Sequence, residues 1–257
     1  MPAASGMVTL RCNMPTKRLL ATDLDGTFIG DDEAMLRLWD ALRAHGIVVA
    51  FSTGRHLQSI EDFYAEKDLT HRADVCICMV GTDIYFRDDG GYELDRTWHE
   101  IIAEDWDKTT VEEILRSIPE ARMQDEQWQS PFKSSYYLEE NVEKRLAELH
   151  DRLERASVRA KVVYSAGKFL DLLPIRSGKG EAVRFVARRY GMTPENVITS
   201  GDTGNDLDMM RPELRFRSIA VGNAAEELKE FRAPHVYHAR AFYAAGIQEG
   251  LEAHGWL

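Results

Sequence analysis

Residues 19–27, LLATDLDGT, constrain the fold of this chain more than any other segment. A run of apolar residues ends there in Asp23 and Asp25, which a glycine and a threonine follow. Because strand side chains alternate between faces, residues two apart point the same way. Both carboxylates therefore leave the C-terminal end of a buried strand on one side, at the edge where open α/β sheets bind ligands.

The spacing of Asp23 and Asp25 also indicates chemistry. Two carboxylates so close repel each other and lose hydration, so they need a cation or a shared proton. Mg²⁺ fits, because hard cations prefer carboxylate oxygens. One carboxylate can then attack a substrate while the other handles a proton. A loop with two solvated aspartates is the simpler interpretation of an isolated Asp-x-Asp, so the other motifs must decide.

Length and composition limit the classes of protein to consider. The chain has 257 residues, 44% hydrophobic and 29% charged, which suits a soluble protein of one large or two smaller domains. Its net charge of −11 argues against a nucleic acid or an anionic membrane as a partner, but not against an anionic small substrate. No apolar run approaches the roughly 20 residues that span a bilayer. Residues 1–18 lack the apolar core of a signal peptide, so we expect a disordered leader there and a cytoplasmic protein.

Strand and helix patterns alternate at both ends of the chain. Before residue 81 they predict strands at 19–22, 47–51 and 73–80 with helices between them, which implies a parallel sheet with right-handed crossovers. A hairpin at 84–94 follows, and then a segment of antiparallel α+β character. After residue 174 the α/β alternation resumes. We interpret this as an α/β core domain, 19–95 and 174–257, interrupted by a second domain over 96–173.

A second polar motif, Ser52-Thr53-Gly54-Arg55, follows the strand predicted at 47–51. A hydroxyl group and the backbone N–H groups of a turn that enters a helix form a cradle for an anion. A helix N-cap without a ligand is an equally good interpretation, because serine and threonine favour that position.

A third motif, Ser177-Gly178-Lys179-Gly180, stands at the start of a predicted helix. A lysine between two glycines can reach a phosphate group as a point charge. The spacing is not that of a P-loop, and by itself the motif favours a glycine-rich turn with a surface lysine.

A fourth motif, GDTGND at 201–206, follows an apolar strand predicted at 197–200. Its two acids suit a divalent cation, with one carboxylate bound directly and the other acting through water or orienting a ligand. An acidic capped turn is the alternative interpretation.

Together the four motifs supply a nucleophile, an acid/base group, a metal site and an anion cradle. Attack of a carboxylate on phosphorus gives an aspartyl-phosphate. Hydrolysis of phosphate monoesters is so slow without a catalyst that an enzyme supplies more than about 20 kcal/mol. Because an anionic nucleophile must approach an anionic phosphoryl group, a metal, cations and N–H donors must surround the phosphoryl oxygens. The four motifs therefore favour phosphoryl transfer.

From residue 19 to the C-terminus, these motifs resemble those of the haloacid dehalogenase superfamily of phosphohydrolases. The resemblance implies a Rossmann-like parallel-sheet core, with Asp23 as the nucleophile and Asp25 as first the acid and then the base. It implies that phosphate is bound by Thr53, Gly54, Lys179 and Asn205. It implies Mg²⁺ as the cofactor, held by Asp23, the backbone carbonyl of Asp25 and Asp202, with Asp206 supporting the water shell of the metal.

Residues 96–173 resemble the α+β cap of the subclass that acts on sugar phosphates, and the sucrose-phosphatase-like family in particular. The matching pieces are SPFKSSYYL at 130–138, SAGKFLDLLPIRS at 165–177 and a terminal segment at 238–247. The resemblance implies sugar contacts from Lys133, Arg55, Thr82 and Asp83, the last at a position where the family commonly has glutamate. The implied substrate is a disaccharide phosphate, either mannosylfructose 6-phosphate or sucrose 6-phosphate.

Other functions compete with a disaccharide-phosphate phosphatase. A phosphosugar mutase would pass the same aspartyl-phosphate to a second hydroxyl, and another sugar-phosphate phosphatase of the superfamily would differ only in its substrate. A non-catalytic domain that binds a synthase or a sugar phosphate should lack Asp23 or Asp25, and both are present. The resemblance also raises a glycosyltransferase (synthase) as a partner. We expect Trp98, Trp106 and Trp128 to pack in a core or hinge rather than to stack on sugar.

Overall fold

The computed structural model describes residues 17–257, which form two sheets and the helices around them. The strands are β1 (Arg18–Thr22), β2 (Ile47–Ser52), β3 (Val75–Cys78), β4 (Asp83–Asp88), β5 (Gly91–Leu94), β6 (Arg122–Met123), β7 (Ser134–Tyr137), β8 (Ala160–Ser165), β9 (Phe169–Pro174), β10 (Val197–Gly201), β11 (Arg217–Ala220) and β12 (Val236–His238). The α-helices are α1 (Asp32–Ala44), α2 (Leu57–Glu66), α3 (Arg96–Ala103), α4 (Lys108–Arg116), α5 (Val142–Arg155), α6 (Lys179–Arg189), α7 (Glu226–Glu230) and α8 (Tyr243–Ala253). Within this part of the chain, no helix combines the length and the apolar character that a membrane span needs.

Eight strands form the larger sheet, in the order β12-β11-β10-β1-β2-β3-β4-β5. The strands from β12 to β3 run parallel, and the β4–β5 hairpin joins β3 in antiparallel orientation. Thr22 of β1 pairs with Ser200 of β10 on one side and with Phe51 of β2 on the other. The segments that follow these three strands therefore meet at one edge of the sheet. The predicted α/β fold class is confirmed.

Helix α1 shows how local sequence specifies an element. It begins after Asp31, whose carboxylate accepts a 3.0 Å hydrogen bond from Ala34 N and so caps the helix. It ends near Gly46, whose φ of +62° is a conformation that glycine adopts without strain. The buried face of the helix includes Met35, Leu38, Trp39 and Leu42, which recur at the three- and four-residue spacing of one helical face.

The third strand is shorter than the sequence predicts. Apolar residues continue to Val80, but β3 ends at Cys78 because Met79 and Val80 have positive φ values of 51° and 60°. Such values are uncommon outside glycine. Gly81 completes this left-handed turn, and its backbone lies so close to Gly178 that a Cβ would have no room. Hydropathy does not reveal the turn, because Met79 and Val80 are both apolar and buried.

The middle of the chain forms a second sheet of four antiparallel strands, in the order β6-β7-β9-β8. Helices α4 and α5 cover one face of it, and they share a separate hydrophobic cluster with its strands. Helix α3 does not join that cluster. Its Trp98 and Ile102 pack instead against the larger sheet. The first helix of the segment 96–173 therefore lies on the core.

The leader predicted over residues 1–18 lies outside the described residues, apart from its last two. Arg18 is already the first residue of β1.

Candidate active site

Three carboxylates meet at the edge where the central strands end. Asp23 follows β1, and its backbone N–H donates a 2.9 Å hydrogen bond to Ser200 O in the neighbouring β10. Asp202 and Asp206 belong to the turn after β10. Oxygen atoms of these three carboxylates lie within 4.8 Å of one another. The pairing of β1 with β10 thus joins two of the sequence motifs in one site, which we call the acidic cluster.

Lys179 places its ammonium group against the acidic cluster. It is the first residue of α6, and its side chain is 0% exposed. Nζ donates 2.7 Å hydrogen bonds to Asp23 Oδ1 and Asp206 Oδ1, and a 3.1 Å bond to Asn205 Oδ1. A surface lysine on a glycine-rich turn is therefore the wrong interpretation. A buried lysine needs such partners, because removing its charge from water costs several kcal/mol.

Burial and mutual repulsion perturb the ionisation of the acidic cluster. Burial raises the pKa of Asp23 well above its usual range; Lys179 opposes this shift, and Asp206 adds to it. Burial and then the charge of Asp206 raise the pKa of Asp202 to about 6. Burial alone would lower the pKa of Lys179, but the carboxylates of Asp206 and Asp23 leave that pKa raised, so the lysine stays charged. The cluster carries more negative charge than one lysine compensates.

The turn after β10 is at once a capped turn and part of the acidic cluster. Asp206 Oδ2 accepts hydrogen bonds of 3.0 Å from Asp202 N and 3.1 Å from Thr203 N, and Thr203 and Asp206 form a reciprocal capping box. The other oxygen of Asp206 faces Lys179. Thr27 Oγ1 holds Asp202 through a 3.0 Å bond to its Oδ1. The motif GDTGND is therefore an acidic capped turn and also supplies carboxylates that suit a cation.

The motif Ser52-Thr53-Gly54-Arg55 is not the N-cap of α2. That position belongs to His56, whose Nδ1 accepts a 3.2 Å hydrogen bond from Ser59 N. Thr53 and Gly54 line a cleft at the acidic cluster instead. This placement favours the anion cradle over the helix cap.

Asp25 lines the same cleft but lies outside the acidic cluster. Its side chain is 54% exposed, and Arg55 Nε donates a 2.7 Å hydrogen bond to its Oδ2. Arg55, an expected sugar contact, therefore holds Asp25 at the edge of the cleft. The resemblance assigns only the backbone carbonyl of Asp25 to the metal, and that assignment stays a prediction.

The cleft has a volume of about 390 Å³ and is lined by both sheets. We call its core residues the floor; they are Asp23, Asp25, Thr53, Gly54, Arg55, Val80, Thr203 and Asn205. The residues from the middle of the chain are the roof; they are Gln124, Trp128, Lys133, Tyr137, Ser165, Ala166, Phe169 and Asp171. The predicted phosphate-binding residues thus meet the predicted sugar contact Lys133 across one cavity, with Lys179 buried beneath Asp23.

Strand alternation explains most of the roof, although the sequence motifs indicated only Lys133. Ser135 pairs with Asp171, and Tyr137 pairs with Phe169, so alternate residues of β7 and β9 share a face. The residues between them, such as Tyr136, pack on the other side with α4 and α5. The alternation of polar and aromatic residues along these strands could therefore have predicted which residues line the roof.

Trp128 lies in the roof rather than in a core or hinge, contrary to expectation. Its ring lies 6.0 Å, centroid to centroid, from that of His56 on the core side. Trp98 is buried against the larger sheet as expected. Sequence cannot separate these cases, because both indoles follow short polar segments.

Thr82 and Asp83 do not line the cleft, although sugar contacts were expected from both. Thr82 is fully buried, and its Oγ1 donates a 3.1 Å hydrogen bond to Met79 O. Asp83 Oδ1 lies 2.8 Å from His99 Nε2. The left-handed turn at 79–81 is the reason, since it presents Val80 to the cleft and turns the following residues into β4.

The acidic cluster suits a hard divalent cation. Its donors are carboxylate oxygens, which such cations prefer. Burial first, and then repulsion from Asp206, raises the pKa values of Asp23 and Asp202, and a bound cation would favour the ionised form of both. Gly26 also keeps the site open: its φ is +79°, and a Cβ there would contact the carboxylate of Asp202. The residues present therefore fit a bound metal ion.

The sequence matches the model of the sucrose-6F-phosphate phosphohydrolase family over residues 16–255. The chain belongs to this family. Sucrose-phosphatase 1 of Nicotiana tabacum is 32% identical over 91% of the chain, which spans only 58% of that relative's length. The mannosylfructose-phosphate phosphatase of Agrobacterium fabrum is 32% identical, and the match covers 94% of the chain and 98% of that protein.

Solved structures agree with this membership. The sucrose-phosphatase of Synechocystis sp. PCC6803, solved in complex with sucrose and phosphate, superposes with a TM-score of 0.85 at 29% identity. The match covers 93% of this chain and 98% of that one. More distant neighbours, such as a sugar phosphatase of haloacid dehalogenase subclass IIB with a TM-score of 0.65 at 16% identity, share the fold. The predicted haloacid dehalogenase fold with a cap is confirmed.

Proposed function

We propose that this protein is a Mg²⁺-dependent phosphatase that removes the phosphate of a disaccharide phosphate through an aspartyl-phosphate on Asp23. One observation carries the proposal: the buried ammonium of Lys179 holds Asp23 within an acidic cluster, beneath a cleft roofed by polar and aromatic side chains. The sucrose-phosphatases and the mannosylfructose-phosphate phosphatase among its relatives support this choice of substrate class.

In the first half-reaction, a carboxylate oxygen of Asp23 attacks phosphorus, and the bond from phosphorus to the sugar oxygen breaks. Asp25 gives its proton to the departing oxygen, so the disaccharide leaves with a free hydroxyl. In the second half-reaction, Asp25 takes a proton from water, which attacks phosphorus and releases inorganic phosphate and Asp23. The exposed position of Asp25 at the cleft gives its carboxyl group access both to the departing oxygen and to water.

The phosphoryl oxygens need positive charge and donors around them. Lys179 supplies a charge that is permanently in place, and the turn at Thr53 and Gly54 supplies the hydroxyl of Thr53 and the N–H of Gly54 at the floor. Asn205, which also lines the floor, offers an amide. Asp23, Asp202 and Asp206, with the backbone carbonyl of Asp25, would hold Mg²⁺. A bound Mg²⁺ neutralises charge on the phosphoryl group and on Asp23.

The sugar would lie against the roof. Lys133, Gln124 and Asp171 offer hydrogen-bonding groups, and Trp128 and Phe169 offer apolar faces on which a hexose ring can lie. We keep the interpretation of the middle of the chain as a cap. Because α3 packs on the core, we place the start of the cap after Ala103 rather than at residue 96. Its closure would exclude water while the sugar leaves.

A phosphate-release assay with Mg²⁺ tests the proposal, with sucrose 6-phosphate, mannosylfructose 6-phosphate and glucose 6-phosphate as substrates. We expect kcat/KM for one disaccharide phosphate to exceed that for glucose 6-phosphate by about tenfold or more, since the roof recognises the second hexose. Asp23→Asn should release no phosphate. Phosphate that moves to another hydroxyl without release would indicate a mutase, and no turnover of any substrate would overturn the proposal.

A further inference from the structure

The carboxylate of Asp208 connects three elements that meet behind the acidic cluster. Asp208 belongs to the 3₁₀ segment Gly204–Met210, which also carries Asn205 and Asp206. Its Oδ2 accepts a 2.9 Å hydrogen bond from Gly180 N in the first turn of α6. Its Oδ1 lies 3.2 Å from Nζ of Lys161 on β8, the edge strand of the smaller sheet. Both side chains are less than one-fifth exposed, at 19% and 17%.

Asp208 replaces a helix cap that α6 cannot provide for itself. The N-cap of α6 is Gly178, which has no side chain to accept from the free N–H groups of the first turn. A side chain does not fit there, because a Cβ on Gly178 would come within 2.6 Å of Asp208 Oδ2 and 2.5 Å of Lys161 Nζ. Asp208 therefore anchors the turn that begins with Lys179.

Lys161 is the part of this arrangement that comes from the cap. It pairs with Leu173 in the sheet, next to Pro174, where the chain returns to the core. Arg211 also contacts Asp208, with Nε 3.2 Å from Oδ1, but it lies on the core side and also pairs with Glu181 of α6. A movement of the cap would therefore separate Lys161 from Asp208 and leave Arg211 in place.

We propose that Asp208 is a positioning residue that couples the cap to the catalytic machinery: through Gly180 it holds Lys179 against Asp23, and through Lys161 it sets where the cap sits. The proposal rests on the proposed function, because it assumes that Asp23 and Lys179 act on a phosphoryl group beneath a cap. Neither Asp208 nor Lys161 lines the cleft. Their effects on catalysis must therefore pass through Lys179 and the roof.

Kinetics on two substrates separate the contact of Asp208 with Gly180 from its contact with Lys161. Lys161→Met keeps the length of the side chain and removes the charge, so kcat/KM for the disaccharide phosphate should fall about tenfold. Hydrolysis of p-nitrophenyl phosphate, which has no sugar to meet the roof, should stay within about twofold. Asp208→Asn leaves one oxygen and no negative charge to contact both Gly180 N and Lys161 Nζ. Because Gly180 positions Lys179, we expect kcat to fall about tenfold for both substrates.

The double variant and a control sharpen the test. Adding Lys161→Met to Asp208→Asn should lower kcat/KM for the disaccharide phosphate by no more than about twofold further, because both changes remove the same contact. Lys144→Met, at an exposed cap lysine on α5, should leave kcat/KM unchanged for both substrates. Equal losses on both substrates in Lys161→Met, or multiplicative losses in the double variant, would overturn the proposal.

Amide hydrogen exchange gives a measurement that does not depend on turnover. Asp208→Asn should speed exchange at Gly180 by about tenfold or more, since its N–H loses its acceptor. Lys161→Met should speed amide exchange at residues 175–178, while exchange at Gly180 should stay slower than in Asp208→Asn. Unchanged exchange in both variants would refute the coupling. If exchange changes as expected but the wild-type protein releases no phosphate, the coupling stands and the proposed function fails.

Discussion

The Nζ of Lys133 lies 3.6 Å from Asp171 Oδ1 in the roof of the cleft, and these side chains are only 4% and 9% exposed. Ser135 also donates to this carboxylate. An ion pair with so little solvent is costly to assemble, and it is weak evidence for stability. Its position facing Asp23 and Thr53 indicates a recognition role, because an ammonium group at 3.6 Å keeps N–H donors free for a ligand.

Lys133→Ala should raise KM for the disaccharide phosphate about tenfold or more, because a hydrogen bond to a charged group contributes about 1.5–3 kcal/mol. The KM for p-nitrophenyl phosphate should change much less, because that substrate lacks the sugar hydroxyls. Steady-state kinetics on both substrates measure the difference. Lys144→Ala serves as the control, since this lysine lies on the exposed face of the cap helix. Equal changes in KM for both substrates would count against a sugar contact.

Asp23→Asn should lower turnover by at least about a thousandfold, because the amide cannot serve as the nucleophile. The fold should survive, since Lys179 keeps Asp206 and Asn205 as partners. Thermal unfolding by circular dichroism, run beside the phosphate-release assay, separates loss of chemistry from loss of structure. In wild-type protein, beryllium fluoride with Mg²⁺ should bind at this oxygen in a crystal. Undiminished turnover of the variant would exclude Asp23 as the nucleophile.

The sequence predicts the ends of β1, β2 and β10 well, because burial of an apolar run and its abrupt polar end are both local properties. Asp23 and Asp202 could be expected together once β1 and β10 were taken as parallel neighbours. The burial of Lys179 could not be predicted, because it depends on the packing of α6 against the segment Gly204–Met210. By itself the motif around Lys179 therefore favoured a surface position.

Long-range geometry accounts for the other differences. Thr82 was expected at the cleft but is buried, since the turn at Val80 directs it into the protein. Trp128 was expected in a core or hinge but lies at the cleft, where the smaller sheet brings it. Helix α3 continues the chain towards the cap but buries Trp98 and Ile102 on the core. None of these outcomes is local, because each depends on which sheet a segment meets.

Mg²⁺ should raise the melting temperature of chelator-treated protein by about 5 °C or more when it is present at roughly 100 times its Kd. The physical reason is relief of repulsion among Asp23, Asp202 and Asp206, which binding to the folded state alone provides. Asp202→Asn should abolish most of this increase. Asp151→Asn, an exposed acid on α5, should leave it intact. An equal Mg²⁺ effect in both variants would place the ion elsewhere.

Glu249→Gln should destabilise the fold by about 1–2 kcal/mol at pH 7, after allowance for solvent screening. The carboxylate accepts from Ala241 N at 2.8 Å, Arg240 N at 3.0 Å and Tyr237 Oη at 2.9 Å, and these bonds, the one from Ala241 first, lower the pKa of Glu249. A lowered pKa means that the stabilisation is complete above the ordinary glutamate value and is lost as the pH falls through the folded-state pKa. Urea unfolding at several pH values should therefore show the difference at pH 7 and lose it in acid. A pH-independent difference, or an equal one in the exposed Glu252→Gln control, would contradict this account.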